Sequence, residues 1–336
     1  MERVLRKKTL NQYLLSQRKI ISIDVLTLVE IISKSFKKIS YFINKGILSE
    51  LIGSLNSINS QGEIQQNLDI FSNNILVEYN EFHKNLSSIF SEELDKIHII
   101  YKNYSKGKYL LLFDPLDGSS NIKLNISIGT IFSILNTPIL NYKNNFILGK
   151  DFLQKGIKQI ISGYAMYGPQ TTIIITLGNG VFGFTLDKFL GLWIMTYKNL
   201  NIPKKTLEIS LNMSQIFNLN YSMKKYVNKC FTNDEFFKKK YNMRWVGSMV
   251  ADIHSILMRG GLFIYSWNSK KNKYPGKIRI MYEANPISML IKQANGLSTN
   301  GIKNIMNIQP VFLNQKTSIV LGSKNEVCKI LSYHII

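Results

Sequence analysis

The chain has 336 residues, 45% of them hydrophobic, which is enough to bury a large core and to form two subdomains. Its 42 Lys and Arg against 21 Asp and Glu give a formal charge of +21, but the basic residues are scattered along the chain, which argues against a nucleic-acid-binding protein. No apolar run approaches the roughly 18 residues of a membrane span, and neither the two cysteines nor the four histidines fall at zinc-ligand spacing. We therefore expect a cytoplasmic protein that binds neither nucleic acid nor membrane.

The amino-terminal region is predicted to be mainly helical. Apolar side chains recur at helical spacing over residues 20–47, which predicts a pair of helices. The polar stretch 54–60 predicts a mobile loop that leads to Glu63. A further helix is predicted over 69–82, and Asp69 near its start is suited to cap it.

The turn at residues 114–121 is the most informative segment of the chain. It reads Asp-Pro-Leu-Asp-Gly-Ser-Ser-Asn and follows residues 108–113, an apolar run of the length expected for a strand buried on both faces. The two carboxylates of Asp114 and Asp117 and the carbonyl of Leu116 are oxygen ligands that hard cations prefer. Gly118 allows close backbone approach, and the two serines that follow supply groups that wrap a phosphate oxygen. An ordinary surface turn is the alternative, but it does not account for the Ser-Ser-Asn continuation.

Three further acids are available to complete a metal site. Glu92 and Glu93 are adjacent, and Glu283 lies far away in the sequence. Adjacent acids are also common on a solvated surface, which is the alternative interpretation. In a chain with few acids, however, clustered carboxylates favour a divalent cation, and oxygen ligands favour magnesium or manganese over zinc.

The remaining pattern changes near residue 200. Strands are predicted over 131–135, 157–166, 171–177, 180–186 and 192–197. Beyond residue 200, helices over 250–258 and 286–294 alternate with strands over 262–265, 279–282 and 318–321. We therefore predict an amino-terminal domain over 1–200 with a helical segment, a metal-binding loop and a β-rich sheet, and a carboxyl-terminal α/β substrate domain over 201–336.

The chain resembles class I fructose-1,6-bisphosphatases of the bacterial type along almost its whole length. The resemblance rests on matching order and spacing of residues 62–69, 91–93, 114–121, 127–132, 163–168, 244–254 and 277–286. Inositol monophosphatases share the turn with two Asp but lack the Ser-Ser-Asn continuation and the segment at Arg244.

The resemblance implies an α/β fold, a layered α/β/α/β/α sandwich of the sugar-phosphatase type with two subdomains, assembled as a homotetramer. It also implies Mg²⁺-dependent hydrolysis of the 1-phosphate of fructose 1,6-bisphosphate in gluconeogenesis. Sedoheptulose 1,7-bisphosphate or another sugar or inositol phosphate is the alternative substrate.

Residue roles follow from the same resemblance. About two or three Mg²⁺ ions per subunit, or Mn²⁺ in their place, would be held by Glu63, Glu92, Asp114, Leu116, Asp117 and Glu283. Asp69 with Glu93 would be the catalytic base. Glu63 would either reach a metal or pair with Arg279 as its loop closes.

Substrate contacts are implied at both ends of the sugar. Asp117, Gly118, Ser119 and Ser120 would bind the phosphate that leaves. The sugar and its second phosphate would be bound by Asn212, Trp245, Gly247, Met249, Phe263, Ile264, Tyr265 and Lys277, with Arg244 supplied by a neighbouring subunit. Two departures weaken this second set, because Trp245 stands where the family usually has Tyr and the segment after Asn212 is altered.

A regulatory difference is also predicted. Members of this family are commonly inhibited by AMP at a Thr-Gly-Glu turn that opens an amino-terminal helix. Here Ile23 and Asp24 stand in place of that Thr and Gly, and the family's Arg after the strand at 129–132 is Asn136; only Lys108 and Tyr109 match. The phosphate of AMP would lose a cationic partner and gain a negative charge beside it, and each change should weaken the binding free energy by an amount on the order of 1–3 kcal/mol. We therefore expect weakened inhibition by AMP.

Overall fold

A computed structural model describes residues 7–51, 54–58, 64–100, 107–138, 149–219, 221–231, 241–265 and 276–333. Glu63, predicted as a metal ligand, lies outside these residues. In the described part of the chain, no helix is long and apolar enough to cross a membrane.

The helices and strands in these ranges are bounded as follows. The α-helices are α1 (Leu10–Ser16), α2 (Ile23–Lys45), α3 (Asn67–Glu81), α4 (Gly149–Phe152), α5 (Tyr221–Phe231), α6 (Met249–Arg259), α7 (Asn285–Gln293) and α8 (Lys324–Ser332). The strands are β1 (Ser54–Ile58), β2 (Ile64–Gln66), β3 (Leu86–Ser91), β4 (His98–Ile99), β5 (Tyr109–Asp117), β6 (Ile128–Asn136), β7 (Gln159–Tyr167), β8 (Thr171–Thr176), β9 (Val181–Asp187), β10 (Leu192–Tyr197), β11 (Glu208–Leu211), β12 (Asn242–Met243), β13 (Leu262–Tyr265), β14 (Ile278–Arg279), β15 (Leu297–Thr299), β16 (Lys316–Thr317) and β17 (Ile319–Gly322).

Two large mixed sheets organise the described residues. The first has eight strands in the order β10-β9-β8-β7-β6-β5-β3-β4, in which β3 and β5 run parallel. The second has five strands in the order β12-β11-β13-β17-β15, with β11 parallel to both of its neighbours. Because β3 and β5 run parallel, their carboxyl ends meet at the same edge of the sheet.

Three apolar layers stack the helices and sheets. The first joins α2 and α3 to one face of the large sheet, for example through Phe36 and Phe132. The second places α6 and α7 between the two sheets, and the third joins α5 and α8 to the far face of the smaller sheet. Alternation along β13 shows the division, since Phe263 belongs to the middle layer and Ile264 to the outer one. This is the expected α/β/α/β/α arrangement.

The structure corrects three local predictions. Residues 20–47 do not form a pair of helices but contain one 23-residue helix, α2, in which Val25, Val29, Ile32 and Phe36 are buried at helical spacing. No Gly or Pro interrupts that spacing until Gly46, so nothing in the sequence divides the helix.

The second correction concerns the predicted loop at 54–60. Residues Ser54–Ile58 are a strand that pairs antiparallel with Ile64–Gln66, so the loop prediction is wrong there. A polar composition does not prevent a backbone ladder, because the hydrogen bonds come from main-chain groups.

The third correction concerns the predicted strand at 279–282. The strand ends at Arg279 and is followed by a π-helical turn, Ile280–Ala284, in which the N–H of Asn285 donates to the carbonyl of Ile280. All five residues of the turn are buried, and a short buried apolar run does not distinguish strand from helix by pattern.

Candidate active site

A cleft with a volume of about 350 Å³ collects most of the predicted site residues. Its walls come from both sheets and from the start of α6. The lining residues are Asp69, Glu92, Glu93, Asp114, Leu116, Asp117, Gly118, Ser119, Ser120, Trp245, Gly247, Met249, Phe263, Tyr265, Lys277, Ile278, Arg279, Glu283 and Lys316.

The parallel pair β3 and β5 sets the inner end of this cleft. Ser91 lies opposite Phe113 in the register, and the N–H of Glu92 donates to the carbonyl of Phe113. Glu92, which follows β3, and Asp114, which lies within β5, are therefore neighbours at the same edge. Within the turn, the N–H of Leu116 donates to Asp114 Oδ1 at 2.9 Å and fixes that carboxylate.

Three carboxylates converge at this inner end. Asp114, Asp117 and Glu283 are all buried, and one oxygen of each lies within 4.8 Å of the others. Glu283 lies in the π-helical turn after β14, and its carboxylate accepts a hydrogen bond from the N–H of Arg279. The guanidinium of Arg279 contacts Glu92 Oε1 at 3.3 Å.

Burial and mutual repulsion disfavour the ionised forms of these acids. Burial, followed by the charges of Glu92, Glu283 and Asp117, raises the pKa of Asp114 well above its ordinary value. Burial and the charge of Glu92 raise the pKa of Glu283 to about 8, although Arg279 opposes the shift. Burial also raises the pKa of Asp117, while hydrogen bonds from Ser248 and Val250 lower it. A divalent cation among these oxygens would relieve the repulsion, so the donor set fits magnesium or manganese.

Asp69 and Glu93 lie on the same cleft. Asp69 is buried in the first turn of α3, and its Oδ2 accepts a hydrogen bond from the N–H of Gln66 at 2.9 Å. The predicted capping role of Asp69 is therefore confirmed. Glu93 is held through its N–H, which donates to Ser91 Oγ at 3.3 Å.

The turn after Asp117 brings backbone close to the cleft. Gly118 has a φ of +80°, and a Cβ placed there would lie 2.6 Å from the Cβ of Ser248. Only glycine fits this position without movement of its neighbour. Ser119 and Ser120 then begin a 3₁₀ turn, with both residues on the cleft.

The outer end of the cleft is aromatic and basic. Trp245, Phe263 and Tyr265 are stacked, with ring centroids 5.8 to 6.2 Å apart in the three pairs. Lys277 and Lys316 also line the cleft. Sequence analysis missed Lys316, which reaches this position because β16 pairs with β14, with Lys316 opposite Arg279.

Three predicted substrate contacts lie outside the cleft lining. Arg244 is exposed and its Nε lies 3.9 Å from Glu208 Oε2. Asn212 accepts hydrogen bonds from the N–H and the hydroxyl of Ser214 at the start of a 3₁₀ turn. Ile264 is fully buried in the outer apolar layer.

Comparison with known proteins gives this geometry a family context. The family described as "Fructose-1-6-bisphosphatase, N-terminal domain" matches residues 8–198, and its C-terminal counterpart matches residues 202–335. A crystal structure of Leishmania major fructose-1,6-bisphosphatase in holo form is 31% identical, with a TM-score of 0.90, and the match covers 98% of this chain and 99% of that one. The apo form of the same enzyme is 30% identical, with a TM-score of 0.85 over 98% of this chain and 100% of that one.

Proposed function

The chain belongs to the fructose-1,6-bisphosphatase family and hydrolyses fructose 1,6-bisphosphate, and we propose that it removes the 1-phosphate with Mg²⁺ held by its buried carboxylates. The products are fructose 6-phosphate and inorganic phosphate. The proposal depends mainly on one observation: the carboxylates of Asp114, Asp117 and Glu283 lie close together. The turn at Ser119 and Ser120 lines the same cleft.

We assign the metal ligands to the inner end of the cleft. Glu92, Asp114, Asp117, Glu283 and the carbonyl of Leu116 would hold about two or three Mg²⁺ ions, with Mn²⁺ as a substitute. When bound, these ions neutralise the phosphoryl oxygens and the leaving alkoxide. Glu63 remains our proposed further ligand, and Arg279, its proposed alternative partner, contacts Glu92 in the structure.

The protein groups position the reactants and move one proton. Asp69 with Glu93 would accept the proton of the attacking water, which lowers the barrier to attack on phosphorus. Ser119, Ser120 and the backbone at Gly118 would hold the phosphoryl group that is transferred. These groups line one cleft, and their common position supports the assignment.

We assign the second phosphate and the sugar to the outer end. Lys277 supplies a positive charge and Tyr265 a hydroxyl, while Gly247, Met249 and the aromatic stack of Trp245, Phe263 and Tyr265 enclose the sugar. Arg244 and Asn212 lie outside this cleft, and the exposure of Arg244 supports our proposal that it serves the cleft of a neighbouring subunit in a homotetramer. We also propose that the two domains divide at residue 200, which the limits of the two family matches support. The proposed location of the enzyme is the cytoplasm.

Release of inorganic phosphate tests the proposed reaction. Fructose 1,6-bisphosphate and sedoheptulose 1,7-bisphosphate are compared as substrates, with Mg²⁺ and with excess chelator. We expect turnover of the fructose substrate that stops in chelator and returns on addition of Mg²⁺. Full activity in chelator would contradict the metal assignment.

We further propose that AMP inhibits this enzyme weakly. Asp24, in the first turn of α2, forms an ion pair with Lys108 at 3.1 Å, so one of the two matching residues of an AMP site already has an anionic partner. His83 also contacts the carbonyl of Asp24, at 3.1 Å.

In a dose–response assay with Mg²⁺ and fructose 1,6-bisphosphate, we expect no half-inhibition at micromolar AMP. Half-inhibition in that range would show that the site is functional.

A further inference from the structure

The start of α6 contacts the metal-binding turn directly. Ser248 Oγ donates to Asp117 Oδ2 at 2.6 Å, and the N–H of Val250 donates to the same oxygen at 2.8 Å. Both bonds end on Oδ2, which leaves Oδ1 as the oxygen that a cation can take. Asp117 belongs to the amino-terminal sheet and Ser248 to the carboxyl-terminal half, so the carboxylate is held from across the cleft.

Other contacts fix this arrangement on both sides. Asn121 Nδ2 donates to the carbonyl of Val246 at 3.1 Å, and Gly118 approaches Ser248 so closely that no Cβ fits between them. Ser248 is 1% exposed, so water cannot readily replace its hydroxyl. A carboxylate held in this way keeps one orientation, which is what a metal site with fixed geometry requires.

We propose that Ser248 is a positioning residue for Asp117: its hydroxyl and the start of α6 hold Oδ2 and so aim Oδ1 at the cation. The inference rests on the proposed metal-dependent function, but it concerns a residue with no part in the ligand set. The competing interpretation is that Ser248 only caps α6, because its Oγ also accepts a hydrogen bond from the N–H of Ala251 at 3.4 Å.

Binding of Mn²⁺ to Ser248→Ala without substrate separates the two interpretations. Electron paramagnetic resonance of free Mn²⁺ gives the dissociation constant, which we expect to rise about tenfold to a hundredfold relative to the unsubstituted protein. The Mn²⁺ concentration for half-maximal activity should rise by the same factor, while KM for fructose 1,6-bisphosphate at saturating Mn²⁺ stays within about threefold.

Ser323→Ala is the matched control. Ser323 is a fully buried serine at the start of α8 that accepts a hydrogen bond from the N–H of Gly261 and does not line the cleft. This variant should lower Tm but leave Mn²⁺ affinity unchanged.

The other outcomes distinguish failure of the positioning role from failure of the proposed function. Unchanged Mn²⁺ affinity in Ser248→Ala overturns the positioning role and leaves the proposed function standing. An unsubstituted protein that binds no Mn²⁺ and releases no phosphate overturns both. If Ser248→Ala does not fold, Ser248→Gly removes the same hydroxyl at a position where glycine is well tolerated, and the same outcomes apply.

Discussion

The inner and outer ends of the cleft are built in different ways. The inner end consists of buried carboxylates, and each of Asp114, Asp117 and Glu283 accepts at least one hydrogen bond. The outer end consists of stacked rings, of the exposed Lys277 and of the partly exposed Lys316. Buried charges are costly unless each has a defined partner, whereas exposed cations and ring surfaces tolerate variation. We therefore expect changes at the inner end to affect turnover and changes at the outer end to affect affinity.

The largest effect is expected from Asp117→Asn. Loss of one carboxylate charge at the inner end should lower kcat at least about a thousandfold, because the metal and the transferred phosphoryl group lose a fixed counter-charge. The substitution is nearly isosteric, so circular dichroism should show an intact fold. Near-normal turnover of this variant would contradict the expectation that the inner end of the cleft determines turnover.

Asp69→Asn should lower kcat about a hundredfold or more while KM changes little, because a general base acts in the transition state and not in substrate binding. Steady-state kinetics at saturating Mg²⁺ provide both constants. Glu78→Gln is the control, since Glu78 is an exposed acid on the same helix, α3. A change confined to KM would show that Asp69 is not the base.

At the outer end, Lys277→Ala should raise KM about tenfold to a hundredfold with a smaller change in kcat, because the second phosphate loses a charge-assisted partner. Lys292→Ala, which alters an exposed lysine in the last turn of α7, should leave both constants unchanged. If KM does not change in Lys277→Ala, the second phosphate is bound elsewhere.

The smallest effect concerns stability without metal. Because the folded protein raises the pKa of Glu283 from 4.5 to about 8, it retains a proton that the unfolded chain releases, and its free energy of unfolding falls as pH rises between these values. In chelator, Tm should therefore fall by about 5 °C between pH 5 and pH 8.5, and Glu283→Gln should make the trend shallower, leaving the part that Asp114 and Asp117 contribute. Saturating Mg²⁺ should remove the trend. A Tm in chelator that rises over this pH range would contradict the electrostatic account.

Sequence analysis predicted best where the determining contacts are local. The helix α3 with its capping Asp69 and most strands between residues 128 and 197 follow from short patterns and are confirmed. The strand before the Asp114 segment is also present, but β5 continues to Asp117 through a register shift, so the turn begins later than predicted. The family and the sandwich architecture are confirmed as well. The roles of the individual site residues stay predictions.

Long-range contacts explain what the sequence left undetermined. Lys316 is one lysine among many in the chain, and only the pairing of β14 with β16 brings it to the cleft. Ser248 lies in a recognised segment, yet its hydrogen bond to Asp117 depends on how α6 meets the large sheet. The π-helical turn that contains Glu283 depends on its buried surroundings, which a period of two or 3.6 residues does not encode.

The ion pair between Asp24 and Lys108 has a consequence for control of the enzyme by its environment. A carboxylate tethered to the same chain meets its lysine at an effective concentration of about the millimolar range, independent of what the cell contains. A free anion at micromolar concentration must compete with that carboxylate for the lysine. We therefore expect Lys108 to be less available to a free anion than its exposed position alone would indicate.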